Sequence, residues 1–242
     1  MKVIILAGGF GTRLSEYTDV IPKPMVEINS KPILERIINI FTYYNHTKFY
    51  IALGYKAEVI KNYFDSSDKN KINYEVLGKK IEINLIDTGL ETMTGGRIKR
   101  LQEFIKDDSF MMTYGDGVSN INLRNLEDFH NEHKKMISVT AVRPPARFGA
   151  IELVGDKVKS FKEKSQLDEG WINGGFFVMK SEIFNYLEDD NTILERDPLE
   201  NIAKEDELRA YKHDGFWQCM DTKRDREILE KESIKSHDPW QI

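Results

Sequence analysis

Two hydrophobic rhythms alternate along this chain. Val3, Ile4, Ile5 and Leu6 form an unbroken apolar run, the pattern of a strand covered on both faces. Over residues 31–44, Ile33, Leu34, Ile37, Ile38 and Phe41 recur at helical spacing. The same reading predicts strands at 49–53, 81–86, 109–114 and 137–142. It predicts helices at 57–64, 96–105 and 122–135, the last with Leu123, Leu126 and Phe129 on one face. Such β-α alternation predicts an α/β fold, a Rossmann-like, mostly parallel mixed sheet flanked by helices.

The second half has a different texture. Short strands are expected at 150–154, 158–161 and 176–179, and helices at 181–187, at 198–205 and from about residue 222. No Pro/Gly/Ser-rich linker divides the halves, so residues 1–242 read as one domain. Residues 65–73 are polar and charged and read as a mobile surface loop.

Composition narrows the chemistry. Lys plus Arg number 35 and Asp plus Glu 40, a net charge of −5. That balance argues against a general nucleic-acid binder. The single Cys219 excludes an intrachain disulfide framework and a multi-cysteine zinc site. No apolar stretch approaches the ~18 residues of a membrane span, and no signal segment is visible. A soluble, cytoplasmic protein without membrane contact is expected.

The strongest local signal is LAGGFGTRL at residues 6–14, directly after the first strand. Ligands of open parallel sheets lie beyond the carboxyl ends of the strands. Glycines there let backbone N–H groups converge on an anion. Arg13 adds a forked, permanent cation. A dinucleotide fingerprint from Gly9 would need glycine at Leu14, and a P-loop would need Gly-Lys-Ser/Thr where Gly11-Thr12-Arg13 stands. A plain glycine turn is the alternative. Pro22-Lys23-Pro24 follows, with two prolines stiffening an extended segment around one lysine. Beside the glycine loop, Lys23 suits a phosphate ligand; alone it would read as a rigid surface turn.

Together LAGGFGTRL and PKPMVEI (residues 22–28) resemble the signature of the sugar-1-phosphate nucleotidyltransferases, which have a glycosyltransferase-A-like fold. Within them the chain is most similar to the glucose-1-phosphate cytidylyltransferases. The resemblance extends in order through GYKAEVIKNYF (54–64), DTGLETMTGGRIKR (87–100), FMMTYGDGV (110–118), RPPARFGAI (143–151), FKEKS (161–165), WINGGFFV (171–178) and FWQCMDT (216–222). MTGGR is the most telling, since many relatives using other nucleotides carry a Leu-Gly-Thr-Ala-like segment there. Ser165 stands where many relatives have proline, and residues 65–80 and the carboxyl end are shorter than in the cytidylyltransferases.

The resemblance implies CTP and a sugar 1-phosphate as substrates, Mg²⁺ as the cofactor, and a homo-oligomer. It places residues 1–142 mainly on the nucleotide and 143–242 mainly on the sugar phosphate. Arg13, Lys23 and Asp116 become the catalytic candidates. Leu6, Ala7, Gly8, Gly9, Gly11, Thr12, Thr94, Gly95, Gly96, Arg97 and Gly115 join them around the nucleotide. Arg97 is expected at base or phosphate, and Gly95 and Gly96 at a base edge. Gly149, Glu163, Lys164, Asn173, Gly174 and Trp217 fall to the sugar phosphate, Lys164 gripping it and Glu163 holding a hydroxyl. Trp217 either stacks on the sugar or packs in the core.

Asp116 and Asp221 would share Mg²⁺ with triphosphate oxygens and water. The resemblance further suggests CDP-linked sugars for a bacterial surface polysaccharide. A base is unnecessary, because the attacking phosphate is already mostly ionised near neutral pH, its second pKa being ~6. Accordingly none of the five histidines falls in a motif, and Cys219 reads as a small buried residue. Two rivals stay open: the same chemistry with another phosphorylated acceptor or with UTP or dTTP, and a nucleotide-binding regulatory subunit without turnover.

Overall fold

A computed structural model of the chain describes residues 1–65, 71–105, 109–144, 150–162, 170–234 and 240. The strands in chain order are β1 (Val3–Leu6), β2 (Glu27–Ile28), β3 (Lys31–Pro32), β4 (Lys48–Leu53), β5 (Lys71–Val76), β6 (Lys79–Asp87) and β7 (Ser109–Tyr114). They continue with β8 (Gly117–Ser119), β9 (Ile137–Val142), β10 (Ala150–Val154), β11 (Lys157–Lys162), β12 (Ile172–Lys180), β13 (Leu208–His213) and β14 (Trp217–Cys219). The α-helices are α1 (Ser15–Thr18), α2 (Ile33–Tyr43), α3 (Ala57–Tyr63), α4 (Thr94–Arg100), α5 (Leu123–His133), α6 (Asp197–Lys204) and α7 (Lys223–Ile234).

Eight strands form the main sheet in the order β13-β9-β12-β7-β1-β4-β6-β5. Four neighbouring pairs are parallel: β13 with β9, β7 with β1, β1 with β4, and β4 with β6. The other three, β9 with β12, β12 with β7, and β6 with β5, are antiparallel. The expected mostly parallel mixed sheet is therefore present. Antiparallel β12 comes after the β10–β11 hairpin in the chain and lies alongside β9.

The unbroken apolar runs arise because both faces of the sheet are covered. Val3 and Ile5 point into one core with Phe49, Ile51, Phe176 and helix α2. Ile4 and Leu6 point into the other with Tyr50, Ala52, Phe177 and helix α4. A strand's two-residue period splits one sequence between two cores.

Some boundaries move. Helix α2 begins at Ile33, not 31, because Lys31–Pro32 closes a tight hairpin on Glu27–Ile28. Its turn residues Asn29 and Ser30 take φ of 47° and 63°, the left-handed values such hairpins need. Helix α4 spans Thr94–Arg100, not 96–105. The loop expected at 65–73 is shorter in its described part. Lys71–Val76 is an edge strand on β6, with Val76 buried and Ile72 and Tyr74 packed against the core; residues 66–70 lie outside the described residues. Among the described residues no helix is long and apolar enough to cross a membrane.

Candidate active site

Strand β1 lies at the switch point of the sheet, between β4 on one side and β7 on the other. Loops leaving its carboxyl end and that of β7 diverge there and leave a crevice, where open α/β sheets take ligands. The crevice is a cleft of about 470 Å³. Leu6, Ala7, Gly8, Gly9, Gly11, Thr12, Lys23, Thr94, Arg97, Gly115 and Asp116, all singled out from the sequence, line it.

The glycine loop is pinned from behind. Gly8 C=O accepts from Tyr55 N–H at 3.0 Å and from Arg97 at 2.9 Å. Gly11, at φ +66°, accepts from Leu14 N–H at 2.9 Å. Among the described residues, the N–H groups of Gly8, Gly9, Gly11 and Thr12 donate to no protein group. Unpaired donors around an open cleft are what a polyphosphate would satisfy. Arg13 belongs to a 3₁₀ turn, Thr12–Leu14, at the end of this loop; its side chain lies outside the described residues.

Lys23 opens a 3₁₀ turn, Lys23–Met25, and does not continue an extended segment; Pro22 before it is extended and Pro24 sits inside the turn. Its ammonium lies 2.6 Å from Asp116 Oδ2 and 2.6 Å from Asp221 Oδ1. A small sheet makes this meeting possible. Strands β8 and β14 pair antiparallel with Cys219 opposite Gly117, and Met220 N–H donates to Asp116 C=O at 2.8 Å. Asp116 and Asp221 are thereby brought side by side. Burial works against a charge on Lys23, but the two carboxylates outweigh it and hold its pKa above the ordinary value. The lysine is a fixed cation.

Behind Asp221 stands Asp225, which the sequence reading missed. Its carboxylate takes the N–H groups of Asp221 at 3.1 Å and Thr222 at 2.8 Å, while Thr222 Oγ1 accepts from Asp225 N–H at 3.2 Å. This is a capping box written Thr-x-x-Asp at the start of α7, and the spacing was visible in the sequence. Cys219 is a bystander: burial, followed by Asp221 and Asp116, pushes its thiol up to about 12.

Around α4, groups expected at the nucleotide make contacts within the protein. The Arg97 guanidinium does not face the cleft as a free ligand. It donates to the carbonyls of Leu53, Gly8, Gly89 and Leu90 and to Thr88 Oγ1, at 2.7–3.2 Å. It ties together the loops after β1, β4 and β6. Gly95 and Gly96 do not offer an open edge either. A Cβ on Gly95 would lie 2.7 Å from Thr192 Cγ2, and one on Gly96 2.6 Å from Asp190 Cα. Their bareness lets α4 press against residues 189–192.

A second opening, of about 350 Å³, shares Tyr114 and Asp116 with the cleft. Asn173, Gly174 and Trp217 line it as expected. Trp217 is half-buried, packs against the core, and donates Nε1–H to Gly174 C=O at 2.7 Å. Asn173 donates to Tyr114 Oη at 3.2 Å. Gly149, Glu163 and Lys164 lie outside the described residues. Tyr114, which the sequence reading placed in a strand and a motif but not in the site, lines both openings, and Glu195, which that reading did not single out, lines the second.

Two hard carboxylate oxygens from distant parts of the chain already converge on one cation. That donor set suits Mg²⁺, which accepts a pair of carboxylates and completes its shell with phosphate oxygens and water.

A profile of nucleotidyl transferases matches residues 2–221, so the chain belongs to that family. Glucose-1-phosphate cytidylyltransferase of Salmonella typhi is 46% identical over 99% of this chain and 98% of its own. D-glycero-alpha-D-manno-heptose 1-phosphate guanylyltransferase of Campylobacter jejuni is 37% identical over 76% of this chain and 78% of its own. In fold, the chain is similar to HddC from Yersinia pseudotuberculosis, solved with GMP-PN, at a TM-score of 0.72 and 23% identity, covering 96% of this chain and 98% of that one.

Proposed function

We propose that this enzyme joins CTP to α-D-glucose 1-phosphate and releases CDP-glucose and pyrophosphate. The observation that carries the reading is the convergence of Lys23, Asp116 and Asp221 at the mouth of a glycine-walled cleft. The 46% identity along nearly the whole chain points to cytidylyl transfer in particular. In the reaction an acceptor phosphate oxygen attacks the α-phosphorus of CTP. The bond from that phosphorus to the bridging oxygen breaks, and its electron pair leaves with pyrophosphate.

The protein's task is alignment and charge. Loop N–H groups and Arg13 hold the triphosphate. Lys23 meets the charge that develops on it. Asp116 and Asp221 would hold Mg²⁺, which when bound neutralises the departing pyrophosphate. Among the described residues no histidine lines either opening, in keeping with a nucleophile that needs no base. Glu163 and Lys164 complete the acceptor side in this reading, and the working form is a homo-oligomer in the cytoplasm.

Pyrophosphate release, measured over CTP, UTP, dTTP and GTP against several sugar 1-phosphates, tests the proposal. The highest kcat/KM is expected for CTP with α-D-glucose 1-phosphate. A different best pair would reassign the substrates. CTP binding without any pyrophosphate would indicate a regulatory subunit.

A further inference from the structure

Among the described residues of the second opening, most polar side chains already have partners within the protein. Asp116 and Asp221 are held by Lys23 and, in the transfer reading above, are committed to the metal and the reacting phosphates. Trp217 Nε1–H goes to Gly174, and Asn173 Oδ1 takes the N–H of Gly175 at 2.8 Å. Glu195 is different. Its Oε1 accepts from Tyr114 Oη–H at 2.5 Å and its Oε2 from Thr94 Oγ1–H at 2.6 Å. A carboxylate offers about four lone-pair positions, so each oxygen can still accept. The side chain is exposed and lines the opening.

Its charge decides what it can take. An anion repels a phosphate and attracts hydroxyl donors. We infer that Glu195 is a specificity-determining residue that accepts a hydrogen bond from a ring hydroxyl of the acceptor, away from the reacting phosphate. This rests on the transfer reading above. The two hydroxyls that orient it belong to the nucleotide cleft as well: Thr94 lines that cleft and Tyr114 lines both openings. One carboxylate thus fixes the sugar relative to the walls that hold the nucleotide. A site built around a substrate hydroxyl rejects the analogue that lacks it.

Steady-state kinetics of wild type, Glu195→Ala and Glu195→Gln with glucose 1-phosphate and its monodeoxy analogues provide the test. In wild type, one deoxy analogue should lose about tenfold or more in kcat/KM. In Glu195→Ala the parent sugar should already show that loss, and removing the same hydroxyl should cost less than about twofold more. Glu195→Gln, which keeps an acceptor oxygen, should recover part of it, and KM for CTP should stay within about twofold.

The inference is overturned if every deoxy analogue costs the variants as much as wild type. It is also overturned if KM rises equally for CTP and acceptor, the mark of a purely structural role. Should Glu195→Ala melt at a much lower temperature, Glu195→Gln decides on the same comparison. A wild type that releases no pyrophosphate with any sugar phosphate removes the transfer reading, and the inference with it.

Discussion

Lys23 bridges Asp116 Oδ2 and Asp221 Oδ1, so a divalent ion drawn to those same two oxygens would have to displace its ammonium. Replacing Lys23 by Met removes the ammonium that bridges two partly buried, neighbouring carboxylates, which costs energy in a medium of reduced dielectric. Mn²⁺ binding in the absence of nucleotide, followed by calorimetry or EPR, is expected to tighten about tenfold or more in Lys23→Met. Turnover should fall at least ~100-fold, the usual cost of removing one preorganised group from a developing charge. Unchanged Mn²⁺ affinity would show that the ammonium does not guard the site.

Two histidines supply a pH test remote from the cleft. Burial lowers His46 and His130 from 6.5 to about 4 each. Between those values the unfolded chain binds protons that the folded one refuses. Stability is therefore full above about pH 6.5 and declines as the pH falls toward 4. The thermal midpoint should drop across that window. The His46→Gln, His130→Gln double variant should show a shallower slope, and equal slopes would exclude these two groups as the cause.

At the level of elements, loops matter more than the helices and strands they join. The Arg97 guanidinium sits where a Cβ on Gly8 would come within 2.2 Å of Nη1, and one on Gly54 within 2.6 Å of the same atom. Both glycines are bare because an arginine side chain fills the space. Arg97→Met would remove five hydrogen bonds at once, taking the donor from the Gly89 and Leu90 carbonyls while Gly8 and Leu53 keep Tyr55 and Thr88 as donors, each bond worth about 1 kcal/mol. Gly8→Ala would force the guanidinium aside. Each change is expected to destabilise by about 3 kcal/mol or more, read by urea denaturation. Gly9→Ala, whose Cβ meets nothing within 4 Å, should stay within about 1 kcal/mol and serves as the control.

At the level of the whole molecule, the loop beyond β1 and the small β8–β14 sheet bring Lys23, Asp116 and Asp221 together from positions separated by 93 and 198 residues. Local pattern was enough for much of the architecture. Continuous apolar runs marked the buried strands, and helical spacing marked α2 and α5, because burial on one or both faces leaves its period in the chain. The glycine loop and Pro22-Lys23-Pro24 were legible for the same reason: their chemistry is contained in a few adjacent residues. Strand β13 and the β8–β14 pair were not, since they are short or half-exposed and gain their pairing only from partners far along the chain.

What the sequence alone determined, then, is the α/β alternation, the anion-ready loop, and the identity of the candidate cation and carboxylates. Only the tertiary structure decided that one ammonium joins the two aspartates, that the Arg97 guanidinium braces three loops, and that Glu195 lines the second opening. The physical reason is range. A residue's type and its neighbours fix its local conformation, whereas its charge and hydrogen-bonding capacity are claimed by whatever the fold sets beside it, and for these residues those partners come from other strands and loops.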